Sequence, residues 1–173
     1  MTTTQQTNNE SREMEFVQGG FQNTDLMPAH ELVAKIYEFK PKDLGERKKA
    51  FVRMFLTDII MGGVQIIKPG GGENALHSHN GQDGSYFILK GRAHFYGEGD
   101  VLIADLSQYQ GIVIPRGYKY WLTAVGDEEV HLLQVVAFDR ARNNKHTNYG
   151  APAKHENTFG ILVLDGKVGS VPA

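Results

Sequence analysis

Residues Gly71 to Gly91 read GGENALHSHNGQDGSYFILKG, and two histidines in that stretch, His77 and His79, lie two positions apart. A strand repeats every two residues, so both imidazoles leave the same face of a sheet. Their Cα atoms stand about 6.6 Å apart at the usual strand rise. Two rings leaning together from that separation can place nitrogens on one metal ion at about 2.0–2.1 Å. The ordinary alternative for an isolated His-x-His is a pair of hydrogen-bonded or solvated side chains at a strand end.

Outward from this stretch the chain is a succession of short β-type runs. Phe51–Thr57, Val64–Ile67, Ala75–His79, Ser85–Lys90, Ala93–Tyr96, Val101–Ala104, Ile112–Ile114, Lys119–Ala124 and Val130–Phe138 are expected strands. Their separators are turn formers, among them Gly62-Gly63, Lys90-Gly91, Gly97-Glu98-Gly99-Asp100, Pro115-Arg116-Gly117 and Gly126-Asp127. Strands broken every 8–12 residues, with scant helical periodicity, predict an all-β barrel or sandwich. Leu32–Phe39 is a further expected strand, stopped by Pro41, and Glu46–Lys49 is a charge cluster expected in a solvated turn or short helix. Three parts follow: a polar, disordered tail over 1–20, a barrel over 21–140, and a connector with a C-terminal strand segment over 141–173. The apolar run Phe159–Leu164 is expected at a sheet edge, in its own barrel or a partner's.

The spacing resembles the cupin superfamily. Its first motif is Gly, five residues, His-x-His, three or four residues, Glu, six residues, Gly; here Gly71, His77, His79 and Gly91 take their places. Its second motif is matched by Pro115-Arg116-Gly117 with Tyr118-Lys119-Tyr120-Trp121. The resemblance spans roughly residues 60–138. It implies a double-stranded β-helix barrel and a divalent metal such as Fe, Ni, Mn or Zn. Two positions depart from the pattern. Six residues before Gly91 the family's Glu falls on Gly84, and its third histidine falls on Tyr120. Asp83 is one residue from the Glu position, but a one-residue shift turns a side chain to the opposite face unless the strand bulges. A neutral phenol is a poor metal ligand and a good hydrogen-bond donor.

The expected site therefore comprises His77 and His79, as metal ligands or as catalytic proton acceptors, with Asp83, Gln65 or His131 as a possible third ligand, and Tyr86 and Tyr120 facing inward as catalytic donors. Gln65, Arg53, His131 and Gln134 are candidate substrate contacts. On the strand through Val130–Phe138, His131 and Gln134 leave opposite faces, so regular pleating brings only one of them to the cavity. His146 and His155 stand in polar loop sequence and are expected to be exposed.

Three functions fit this set. The first is a small-molecule enzyme working by acid–base chemistry without redox (a lyase, dehydratase, isomerase or cyclase), with or without a metal. The others are a metal-dependent dioxygenase and a non-catalytic binding protein. Several classes are disfavoured. Net charge is −2 and the sequence pI is near 6.4, so no bulk field draws nucleic acid or anionic membrane. Apolar runs stop well short of the 18 residues a membrane span needs. The start, MTTTQQTNNESREMEF, lacks the basic and apolar parts of a signal peptide, so a cytoplasmic location is expected. Cysteine is absent, leaving nitrogen and oxygen as metal donors. A homodimer is expected, to cover sheet edges.

Overall fold

Runs in which apolar and polar residues alternate bury one face of a strand, and here the strands close those faces on one another. The computed structural model describes residues 14–15, 35–41, 43–71, 75–150, 162–165 and 167–170. In chain order the strands are β1 (Met14–Glu15), β2 (Lys35–Glu38), β3 (Lys49–Leu56), β4 (Ile60–Ile67), β5 (His77–His79), β6 (Gln82–Lys90) and β7 (Arg92–Tyr96). After a 3₁₀ turn at Glu98–Asp100 come β8 (Leu102–Ser107), β9 (Gly111–Ile114), β10 (Trp121–Ala124), β11 (Val130–Phe138), β12 (His146–Asn148), β13 (Leu162–Asp165) and β14 (Lys167–Ser170). No α-helix occurs among the described residues.

The larger sheet runs β1-β13-β3-β4-β11-β6-β9, and a second sheet runs β10-β7-β8. Two-stranded sheets β12-β5 and β14-β2 complete the arrangement. All ladders are antiparallel except β13 on β3. Between the sheets lies the main core: Ile67, Tyr86, Ile88, Ala93, Phe95, Leu106, Ile114, Tyr120, Leu122, Val130 and Leu132. This is the all-β, double-stranded β-helix architecture expected from the sequence.

Three sequence expectations are corrected here. The Gly62-Gly63 pair does not separate two strands but lies inside β4. A Cβ at Gly62 would stand 2.1 Å from Cζ of Phe55, and one at Gly63 would stand 2.4 Å from Cζ of Phe51. The glycines thus make room for two β3 rings, while the turn forms at Thr57, whose Oγ1 accepts from Ile60 N at 3.1 Å. Lys49 is not in the solvated charge cluster; it opens β3 and is buried in register with Ile67. The connector after Phe138 is not wholly irregular either, since β12 forms there and pairs with β5. Of the expected tail, only Met14–Glu15 falls within the described residues, paired with Leu162–Val163. The rest of it, and His155, lie outside them. The described part of the C-terminal apolar run, β13, pairs with β3 of its own chain.

Candidate metal centre and its donor network

β5 presents both of its histidines to one side, as period two requires. β12 runs antiparallel beside it with His146 opposite His79 and Asn148 opposite His77. Asn80 N donates to Lys145 O at 3.2 Å and Tyr149 N to Leu76 O at 2.8 Å, so the pairing extends past both strand ends. On the other flank, His77 and Tyr120 exchange backbone hydrogen bonds of 3.1 and 3.0 Å. The tight Pro115-Arg116-Gly117 turn, with Gly117 at φ 79, closes on His79 O through a 2.8 Å bond from Gly117 N.

This packing gathers three imidazoles. The rings of His77, His79 and His146 lie pairwise 4.9–5.2 Å apart between centroids. One nitrogen from each falls within 4.8 Å of the others. His77 is buried, His79 half-buried and His146 exposed, so the cluster runs from the barrel interior to its mouth. His77 Nδ1 lies 2.8 Å from Ala75 O. A carbonyl only accepts, so Nδ1 carries the proton and Nε2 keeps its lone pair. Burial, reinforced by the neighbouring His79, holds the His77 pKa down to about 3. Burial, with His146 beside it, lowers His79 to about 4, and burial lowers His146 as well. Neutral imidazoles with one tautomer fixed are the form that binds a divalent cation. The donor set therefore fits the metal implied by the sequence.

Tyr120 packs on His77, with ring centroids 4.4 Å apart. Its hydroxyl hydrogen-bonds the Tyr86 hydroxyl. Gln134 Nε2 donates to the Tyr86 oxygen at 3.3 Å, and Gln65 Nε2 donates to Gln134 Oε1 at 2.6 Å. All four side chains are buried. Burial pushes the Tyr86 pKa up to about 12 and also raises that of Tyr120 well above its ordinary value, so both are neutral phenols at ordinary pH. Tyr86 and Tyr120 line a small cleft, partly open to solvent, with His79, Gln82, Gly84, Ile114, Pro115 and Tyr118.

The structure brings His77, His79, Tyr86 and Tyr120 together, while Gln134 and Gln65 join them only through the hydrogen bonds behind Tyr86 and do not line the cleft. Asp83 is a correction. Strand β6 pairs with β11 without a bulge at this point, so Asp83 points outward while Gly84 points in. Its carboxylate accepts from Arg116 Nη2 at 2.7 Å, Nε at 3.1 Å and backbone N at 2.8 Å. Those bonds hold its pKa down to about 2. His131 is also corrected. It faces away from the cavity, its Nε2 lying 2.6 Å from Glu129 Oε1 and its ring edge-on to Phe39 at 5.4 Å. Arg53, half-buried, sits in register with Gly63 and is not part of the cleft wall.

Two residues escaped the sequence reading. His146 was placed in exposed loop; it is indeed exposed, yet it completes the triad. The only signal for it is a histidine inside a short T/N-flanked stretch that can pair as an edge strand. Lys49 is the other, a buried lysine whose charge contributes to the depression of His77.

Residues 63–136 match the family model described as the cupin domain. No curated protein matches the chain. Among solved structures, it is similar to a conserved protein with a double-stranded β-helix domain from Klebsiella pneumoniae subsp. pneumoniae MGH 78578. The identity is 17%, the TM-score is 0.53, and the match covers 64% of this chain and 84% of that one. It is also similar to an RmlC-like cupin family protein with a double-stranded β-helix fold from Methanocaldococcus jannaschii. There the identity is 18%, the TM-score is 0.50, and the match covers 62% of this chain and 94% of that one. At such identities the likeness carries the fold alone. The matched domain, both motif segments and the strand arrangement agree: residues 63–136 form a cupin domain, and the fold around it is the double-stranded β-helix.

Proposed function

We propose that this chain is a small-molecule enzyme of the lyase or isomerase kind, with His77, His79 and His146 holding a divalent cation and Tyr120 donating to the substrate. The observation that carries this reading is a triad of three neutral imidazoles with no carboxylate beside it among the described residues. A carboxylate ligand would offset part of the ion's charge; three neutral ligands leave it intact. An ion so held, when bound, supplies Lewis-acid polarisation of a substrate oxygen.

The remaining work falls to the protein. Tyr120, neutral and lining the same cleft as His79, donates a hydrogen bond to an oxygen on which charge develops. Tyr118, Ile114 and Pro115 form the uncharged wall against which such a molecule would lie. His77 and His79 are better suited to ligation than to proton abstraction. General bases work best with a pKa near the working pH, and these stand near 3 and 4. The dioxygenase reading loses support with Asp83, because its carboxylate, the natural third member of a two-histidine, one-carboxylate set, is bound to Arg116 on the outer face.

The test is a panel of small hydroxy and oxo compounds offered to zinc- and manganese-loaded protein with oxygen excluded. Turnover that stops with a chelator and falls with Tyr120→Phe is expected. Turnover that proceeds only with stoichiometric oxygen consumption would overturn the reading.

A further inference from the structure

Gln65 and Gln134 do not line the cleft, yet they are buried and aligned in a single hydrogen-bonded file with Tyr86 and Tyr120. Each member of such a file has a limited stock of protons. Gln65 Nε2 donates to Gln134 Oε1, which leaves the Gln134 amide nitrogen to face Tyr86. The Tyr86 oxygen accepts that bond. Its single proton is then directed to its other neighbour, the Tyr120 oxygen. Tyr120 thus receives a bond from Tyr86, and its own proton is left for the cleft.

The amide orientation that starts the file has a physical cause. Gln65 stands opposite Phe51 in register, between the positions of Lys49 and Arg53 on the same face of β3. Gln65 Oε1 is one of the buried side-chain atoms without a hydrogen-bond partner among the described residues, and a positive charge on either flanking position favours an oxygen there over an NH₂ group. Turning both amides over would place an NH₂ group there instead.

We propose that Gln134, backed by Gln65, is a positioning residue that fixes Tyr120 as a hydrogen-bond donor, so the cleft selects small molecules presenting an oxygen acceptor. This rests on the reading of Tyr120 as the donor to substrate. It also assigns the ligand class: molecules presenting a carbonyl, carboxylate or sulfoxide oxygen are bound at this point.

The discriminating variant is Gln134→Glu, nearly the same shape but with a carboxylate that only accepts when ionised. Tyr86 must then donate to residue 134, and Tyr120 must donate to Tyr86. Nuclear magnetic resonance of metal-free protein carrying ¹³C-labelled tyrosine reads this directly. In the native chain the hydroxyl proton between the two rings is expected to correlate with Cζ of Tyr86; in Gln134→Glu it should correlate with Cζ of Tyr120.

Dimethyl sulfoxide, a neutral probe that only accepts, gives the binding readout without charge repulsion. Its affinity should fall roughly tenfold in Gln134→Glu, equally in Tyr120→Phe, and no further in the double variant. Should Gln134→Glu fail to fold, Gln134→Leu replaces it, and there both correlations should be populated. An unchanged Tyr86 correlation in the variant that folds, or losses that add, would overturn the proposal. Metal content is measured separately on each protein. Native chain without metal but with the expected correlations would sink the metal reading while leaving this one standing.

Discussion

The Tyr86 ring lies over Gly84: a Cβ at position 84 would stand 3.0 Å from Tyr86 Cε2 and 3.3 Å from its hydroxyl oxygen. The residue two places along the same strand thus fills the space that a glutamate in this slot would need. Tyr120 fills the slot of the third histidine and bonds to Tyr86. With the barrel floor taken by two phenols, the third imidazole comes from β12 at the mouth.

From that packing, Gly84→Glu should destabilise the fold by about 1–3 kcal/mol through overpacking. Tyr86→Ala in the same chain should recover part of the loss, giving a coupling that denaturant titration of both single variants and the double variant will reveal. Simple additivity would mean the ring does not guard this slot.

Acidity should act through the histidines. His77 and His79 have folded pKa values near 3 and 4, against an ordinary value of 6.5. Below 6.5 the unfolded chain takes up protons that the folded chain refuses, so the stabilising contribution is complete above 6.5 and is lost as pH falls toward 3. For His77 the total is on the order of several kcal/mol. Urea midpoints of metal-free protein between pH 7 and pH 4 should therefore drop steadily, and His77→Gln should flatten the slope. A midpoint independent of pH over that range would contradict this.

Asp83→Asn should leave metal affinity within about twofold of native, since the carboxylate serves Arg116 and not the cation. Its effect should be a lowered melting temperature that vanishes once pH falls through the native carboxyl's pKa near 2. Calorimetric metal titration of the variant decides the first point; a loss of tenfold or more would restore Asp83 to the site.

Much of this was legible in the chain. Strand parity, counted from His77 and His79 and from the family's Glu position at Gly84, places Tyr86 and Tyr120 inward with the His-x-His pair, and they face inward. Parity also restricted His131 and Gln134 to opposite faces, but only the register of β11 on β4 and β6 shows that Gln134 is the inner one. Period two says nothing about which strands pair across long separations. That is why His146, 67 residues beyond His79, read as loop. Gly62-Gly63 misled for a different reason: glycine marks a turn or a close approach equally well, and here it marks two phenylalanine rings.

Tyr120→Phe should fold as native, because a tyrosine hydroxyl contributes only about 1 kcal/mol. Turnover of an accepted substrate should nonetheless fall about 10²–10³-fold, the usual effect of removing one oxyanion donor. Unchanged kcat in a folded Tyr120→Phe variant would make the residue mere wall.

The central claim is that the cation is held by His77, His79 and His146 together. Metal analysis and competitive titration of untagged protein, native beside His146→Ala, test it most directly. The account predicts about one divalent ion per native chain and at least a tenfold weaker affinity in the variant, with circular dichroism unchanged. Native metal content and affinity retained in His146→Ala would contradict it.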